Sequence, residues 1–312
     1  MQVALFGGTG FVGSYLVDAL IAAGHTPSLL VRENSASKIR KTARCRITAG
    51  DITSQQAIEA TLSACDALIY NIGILKEFPG KGVTFEELQF HGVQRVVDAA
   101  THLNVSRVLL MSANGVKVPG TPYQETKYRA EELVKASGLA ATVFRPSVIF
   151  GDSRGLQEIS GQLFNDLVKP PIPAVGFHTG WNPKGNGVVL SPVHVTDVAS
   201  AFVNALSNDT SIGKTYILGG PEVLTWAEMI RRIATAVSRD KWILPMPIGV
   251  MKFGATLFDW LPFFPATRDQ LTMLAEGNDA DPADIEALIG RPPLAFEPKN
   301  LAYLNAITAV VP

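Results

Sequence analysis

Short apolar runs alternate with longer stretches whose apolar residues recur at three- and four-residue spacing through the first half of the chain. This is the rhythm of a parallel sheet wrapped by helices. The pattern predicts strands at 2–7, 27–31, 44–49, 67–70, 108–111 and 141–144, with helices such as 13–23, 85–103 and 123–137 between them. Residues 1–150 therefore read as an α/β fold, a doubly wound parallel sheet of the Rossmann type.

The texture changes after Phe150, where KPPIPAVGFHTGWNPKGNG (169–187) is crowded with proline and glycine and predicts an irregular, loop-rich region. SPVHVTDVASAFVNAL (191–206) then resumes a turn and a helix, with Thr196 or Asp197 as N-cap. KTYILGG supplies one more strand, and TWAEMIRRIATAV a helix with Thr225 capping and Glu228 in the capping-box position. The chain thus weaves: 188–220 return to the first unit, while 151–187 and 221–312 form a smaller, mainly C-terminal region suited to a substrate. In 245–276, Phe253, Phe258, Trp260, Phe263 and Phe264 follow closely. They read either as a helix and turn packed over the smaller region or as an apolar wall for a substrate or membrane surface.

Composition narrows the function classes. The 312 residues are 47% hydrophobic and 18% charged, enough for a sizeable core. A net charge of −1 argues against a nucleic-acid partner, which needs a clustered cationic surplus. Cys45 and Cys65 form neither a disulfide framework nor a metal knuckle, so both read as free thiols in a reducing, cytoplasmic setting. The start has no basic segment before its apolar run, unlike a secretory signal, and no stretch is long and apolar enough to span a membrane. His25, His91, His102, His178 and His194 are scattered without metal-ligand spacing, and no GxSxG elbow points to a serine hydrolase.

The candidate chemistry begins at ALFGGTGFVGSYL (4–16), where Gly7, Gly10 and Gly13 follow the first strand and open a helix. In that place a first glycine permits the tight turn, the next lets a pyrophosphate approach the backbone, and the last brings helix against strand. Thr9, Phe11 and Val12 belong to the same loop and helix start, whose N–H groups face the anion. A dinucleotide is the expected cofactor. The end of the second strand, Val31-Arg32-Glu33 with Ser35 and Lys38 following, bears on its identity: Arg32 suits the 2′-phosphate of NADP(H), whereas Glu33 facing the ribose would suit NAD(H). Asp51 and Ile52, after the third strand, are placed for the adenine, and Asn71 and Gly73 follow the fourth strand.

TPYQETKYRAEELV (121–134) sets Tyr123 and Lys127 four apart on one helical face. An ammonium beside a phenol favours the phenolate, so the pair is a workable acid–base unit. Ser112, at the end of the fifth strand, is placed to orient a substrate oxygen.

The order GGTGFVG, GDI, Ser112, YQETK, FRPSVIFG and SPVHVTDVA resembles the extended and atypical short-chain dehydrogenase/reductases over nearly the whole chain. Within them it is similar to the group related to the nucleotide-binding accessory subunit of respiratory complex I. FRPSVIFGDSRG and the terminal FEPKNLAYL add to that likeness. The resemblance implies NADP(H) binding and either oxidoreductase or epimerase/dehydratase-like chemistry by Ser112, Tyr123 and Lys127. It also implies a ribose contact for Lys127 and places Pro146 and Val148 near the nicotinamide. Extended members carry an asparagine in the helix where this chain has FHGVQ, so His91 is a candidate replacement there, and His194 falls where relatives line the junction with the small domain. The segments 155–190 and 245–275 are apolar enough for a lipid- or quinone-like substrate. The alternative the resemblance implies is a non-catalytic NADPH-binding module, cytoplasmic or peripheral at the inner membrane, monomeric or paired through helices within 85–137.

Overall fold

Strands buried on both faces must be apolar at successive positions, and Val3, Ala4, Leu5 and Phe6 are all fully buried. The computed structural model describes residues 1–39, 41–179, 187–250 and 268–309. In it these residues form the centre of a seven-stranded sheet. Six strands pair in parallel: β1 (Gln2–Phe6), β2 (Thr26–Val31), β3 (Arg46–Ala49), β4 (Ala67–Tyr70), β5 (Arg107–Met111) and β6 (Ala140–Pro146). The strand Thr215–Leu218 lies beside β6, so the order across the sheet is 215–218, β6, β5, β4, β1, β2, β3. Chain order reverses direction at β1, between β2 and β4. That switch is where α/β sheets of this kind open a crevice at the strands' carboxyl ends.

The helices covering this sheet are α1 (Phe11–Ala22), α2 (Gln55–Leu62), α3 (Gly92–His102) and α4 (Pro122–Ala136). The last starts with a capping box: Thr121 and Gln124 each bond the other's backbone N–H. One side of the sheet is closed by Phe6, Ile58, Leu62, Leu68, Tyr70, Val96, Val134 and their neighbours. The helix predicted over 85–103 is in two parts. Its first turns, Glu86–His91, are π-helical, and regular α3 begins only at Gly92.

The chain divides into two compact units. The first comprises Met1–Pro146, Val195–Ile217 and Asp284–Arg291. In it the helix Val195–Leu206 packs against α1. Arg107, buried in β5, donates to the carbonyls of Ala140 and Ala205 and to Ser211 Oγ, each at 2.7 Å. Asp197 and Thr196 do not precede that helix, which already starts at Val195. The fully buried Asp197 carboxylate is instead paired with Arg291.

The second unit comprises Ser147–His194, Leu218–Ala283 and Pro292–Pro312. Its core includes Phe150, Phe164, Met229, Ile230 and Phe296. The helix Trp226–Ala236 carries the expected capping box of Thr225 and Glu228, and the strands Ala174–His178 and Ile243–Pro247 pair in parallel. Phe253, Phe258, Trp260, Phe263 and Phe264, expected to pack or to present an apolar wall, lie outside the described residues. Among the described residues no helix is long and apolar enough to cross a membrane.

Candidate functional site

The glycine loop leaves β1 at the switch point, and its glycines are needed for two different reasons. Gly7 has φ +95°, and a Cβ there would sit 2.8 Å from the carbonyl oxygen of Asn71. A Cβ on Gly13 would fall 2.0 Å from the carbonyl oxygen of Gly7. The fold itself forbids side chains at both positions. Gly10 differs: it is exposed, has φ −82° and ψ 176°, and its Cβ would meet only the Gly7 carbonyl oxygen, at 3.5 Å. Folding leaves that surface clear without requiring it. Gly10 is also the N-cap of α1 and gives the helix no side-chain cap, so the N–H groups of the first turn are left for an external acceptor. Thr9, Phe11 and Val12 stand half-buried around this opening. A cradle that a Cβ at Gly10 would fill, beneath uncapped helix N–H groups, fits the pyrophosphate of a dinucleotide.

The other expected cofactor residues surround the same sheet edge. Arg32 follows β2 immediately, with an exposed side chain, and Glu33 beside it is equally exposed. Asp51 is half-buried after β3, and its Oδ1 accepts from Thr53 N and Oγ1, both at 3.1 Å, which fixes the turn. Ile52 is buried in the core beneath α3, where its Cγ1 lies 3.3 Å from the Cβ position of Gly92. Asn71 bonds back to the Phe6 carbonyl of β1 at 2.9 Å, which brings the end of β4 under the glycine loop.

Lys127 and Ser112 come together at the ends of β4 and β5. They line one small cavity of about 10 Å³, near the size of a single water, with Tyr70, Gln89 and Met111. Lys127 Nζ donates to the Met111 carbonyl at 2.9 Å and lies 3.6 Å from the Cβ position of Gly73, within ordinary contact of the turn after β4. Burial pulls Lys127 down to about 8, against the opposing charge of Glu131. Ser112 Oγ donates to Glu131 Oε1 at 2.5 Å.

Glu131 is fully buried on α4, one turn beyond Lys127. Arg145 of β6 grips it with two bonds, Nε at 2.8 Å and NH2 at 2.6 Å. Tyr123 does not line this cavity. Its half-buried ring stands edge-on to Phe85, with centroids 5.6 Å apart, and burial pushes its phenol up to about 12.

His91 takes no place in the cavity: it is half-exposed and pairs with Glu86 at 3.6 Å on the outer face of the π-turn. Gln89, which sequence reasoning passed over, is the residue this turn aims inward. It is buried, donates through Nε2 to the Ile74 carbonyl at 2.9 Å, and lines the cavity beside Lys127. Its signal in the sequence was a lone polar side chain on an otherwise apolar helical face. Glu131 and Arg145 were missed as well.

Pro146 ends β6 and accepts from Asn114 N at 2.9 Å. Val148 and His194 belong to the second unit. There the Val148 carbonyl accepts from Val193 N at 2.9 Å, and His194 stands edge-on to Phe150.

Comparison with known proteins agrees with this geometry. Residues 7–165 match the family described as NAD(P)H-binding. The chain is 26% identical to the mitochondrial NADH-ubiquinone oxidoreductase 40 kDa subunit of Neurospora crassa, over 84% of this chain and 68% of that protein. It is also 26% identical to a ceramide reductase of Caulobacter vibrioides, over 83% and 78%. A solved nucleoside-diphosphate-sugar epimerase from Staphylococcus aureus shares the fold at 17% identity, with a TM-score of 0.73 over 96% of this chain and all of that one.

Proposed function

Because the chain belongs to the NAD(P)H-binding family, we propose that it is an NADP(H)-dependent oxidoreductase of the short-chain dehydrogenase/reductase type, interconverting the alcohol and carbonyl forms of an apolar or quinone-like substrate. The observation that carries this reading is the buried Lys127 ammonium, set between the ends of β4 and β5 and tied to the Met111 carbonyl. In this reading the Gly10 cradle and the start of α1 hold the pyrophosphate, Arg32 the 2′-phosphate, Asp51 the adenine, and Lys127 the ribose hydroxyls. Ile52, with its side chain in the core, supports the Asp51 turn from beneath.

When bound, the nicotinamide supplies or accepts the hydride. Tyr123 is the proton-transfer group. A phenol held near 12 stays protonated at neutral pH and can give its proton to a carbonyl oxygen, as a weaker acid than an ordinary tyrosine. A lipid- or quinone-like substrate is supported by the apolar composition of the chain after Phe150 and by the relative named as a ceramide reductase.

The second reading, an NADPH-binding accessory or regulatory protein without turnover, is favoured by one observation: Tyr123 does not line the cavity that holds Ser112 and Lys127. Titration of NADPH and NADH into the wild type and Arg32→Ala, followed by NADPH oxidation with a lipophilic ketone or quinone, tests both readings. The expected result is tighter NADPH binding in the wild type and a loss of about 10- to 100-fold in Arg32→Ala, with NADH binding little changed. Equal losses for the two cofactors overturn the NADP(H) assignment. Tight NADPH binding with no turnover supports the accessory reading.

A further inference from the structure

The hydrogen-bond polarity of the cavity is set from behind. A serine hydroxyl has one proton to give, and that of Ser112 goes to Glu131, whose carboxylate can only accept. The carboxylate cannot turn away, because Arg145 holds both its oxygens in a two-bond grip and the side chain is fully buried. Towards the cavity Ser112 therefore offers only lone pairs. Tyr70 is in the same state: its hydroxyl proton is committed to the Leu88 carbonyl at 2.5 Å. Lys127 is the opposite, since one of its three N–H bonds goes to Met111 and the others remain for donation.

From this geometry we infer that Glu131, clamped by Arg145, is a positioning residue that fixes Ser112 as a hydrogen-bond acceptor, so that the cavity reads a hydroxyl group rather than a carbonyl. A hydroxyl can donate to Ser112 Oγ while its oxygen accepts from Lys127 Nζ. A carbonyl oxygen has no proton for Ser112 and leaves that acceptor unmatched. The inference rests on the reading of Ser112 and Lys127 as site residues, and it deepens that reading. Ser112 does not polarise the reacting carbonyl; it recognises a hydroxyl, on either the cofactor ribose or a hydroxyl-bearing substrate.

A double-mutant cycle over Ser112→Ala and Glu131→Gln tests it, with ligand binding as the readout. Each protein is titrated with NADPH, and with 2-octanol and 2-octanone, a pair differing only in hydroxyl against carbonyl, in the presence and absence of NADPH. A glutamine can donate its amide proton to Ser112 and turn the serine proton towards the cavity. Glu131→Gln should therefore abolish or reverse whatever discrimination the wild type shows.

If the hydroxyl is the substrate's, the wild type binds octanol about tenfold tighter than octanone. Both single variants lose that preference, the double variant loses no more, and NADPH affinity is the same in all four proteins. If the hydroxyl is the ribose's, NADPH affinity falls about tenfold in each single variant and no further in the double. Additive losses in the double variant mean Glu131 is only structural. Additivity overturns the inference, and so does a wild type in which neither octanol preference nor NADPH affinity depends on Ser112.

Should Glu131→Gln unfold with Arg145 left unpaired, Glu131→Gln combined with Arg145→Met removes both charges and keeps the cycle readable. Failure of the wild type to bind NADPH sinks the proposed function by itself, and the alcohol–ketone comparison without cofactor still judges Ser112.

Discussion

A buried ammonium tied to one carbonyl oxygen is a titrating group, and Lys127 carries the residue-scale consequence. Desolvation brings it from the ordinary lysine value of 10.5 down to about 8. Below that pH it is charged and can donate to a ligand hydroxyl; above it the charge is lost. NADPH affinity is therefore expected to be level from pH 7 and to weaken as pH rises through about 8, in fluorescence titrations between pH 7 and 9.5. Lys127→Met should weaken binding about tenfold at pH 7 and remove that slope. The spacing of four put Lys127 and Tyr123 on one helical face, yet in the fold only Lys127 lines the cavity, and the Tyr123 phenol is raised by burial rather than lowered by the ammonium. Glu131 was not legible, since a glutamate four residues after a lysine reads as an ordinary surface pair. Its partners, Ser112 and Arg145, arrive from β5 and β6, and only the folded sheet brings them to it.

Among elements, the turn from β1 into α1 separates what the fold needs from what a ligand needs. Gly13→Ala puts a Cβ against the Gly7 carbonyl and should lower the melting temperature by roughly 5 °C or more. Gly10→Ala meets nothing closer than 3.5 Å and keeps a backbone conformation open to alanine, so its melting temperature should stay within about a degree of the wild type. It should nonetheless lose most of its NADPH affinity, because the methyl group occupies the pyrophosphate's place. Thermal unfolding without ligand, set beside NADPH titration, separates the two variants. The strands of the sheet were readable to within a residue or two, since the runs of β1, β2, β4, β5 and β6 are largely buried and apolar, although β3 alternates between partly buried and exposed positions. The π-turn at Glu86–His91 was not. Apolar spacing of three and four is the same before and after an extra residue, and the resemblance, which put a polar residue at FHGVQ, pointed to His91 where the structure turns Gln89 inward.

At the scale of the whole molecule, the first unit is assembled from three separate stretches of chain. KTYILGG announced one further strand, and the structure gives Val195–Ile217 to the first unit, less than the 188–220 expected; the contribution of 284–291 was not visible. That contribution rests on contacts such as Arg291 with Asp197, which no local pattern announces. Residues 1–146 alone lack the helix packed on α1, the strand beside β6 and two of the three acceptors of the buried Arg107 guanidinium. That fragment is expected to be insoluble or to show only weak, non-cooperative unfolding by circular dichroism, with no NADPH binding, whereas the full chain unfolds cooperatively. The interleaving also dictates a schedule during synthesis. On the ribosome β6 emerges some seventy residues before the strand that will cover its edge. At ~5–20 residues per second, that edge waits roughly ten seconds for its partner, and the apolar face of α1, whose partner helix follows about 170 residues later, waits roughly ten to thirty. For that interval the nascent sheet presents an open flank, and the cell's chaperones, rather than the rest of the protein, have to guard it.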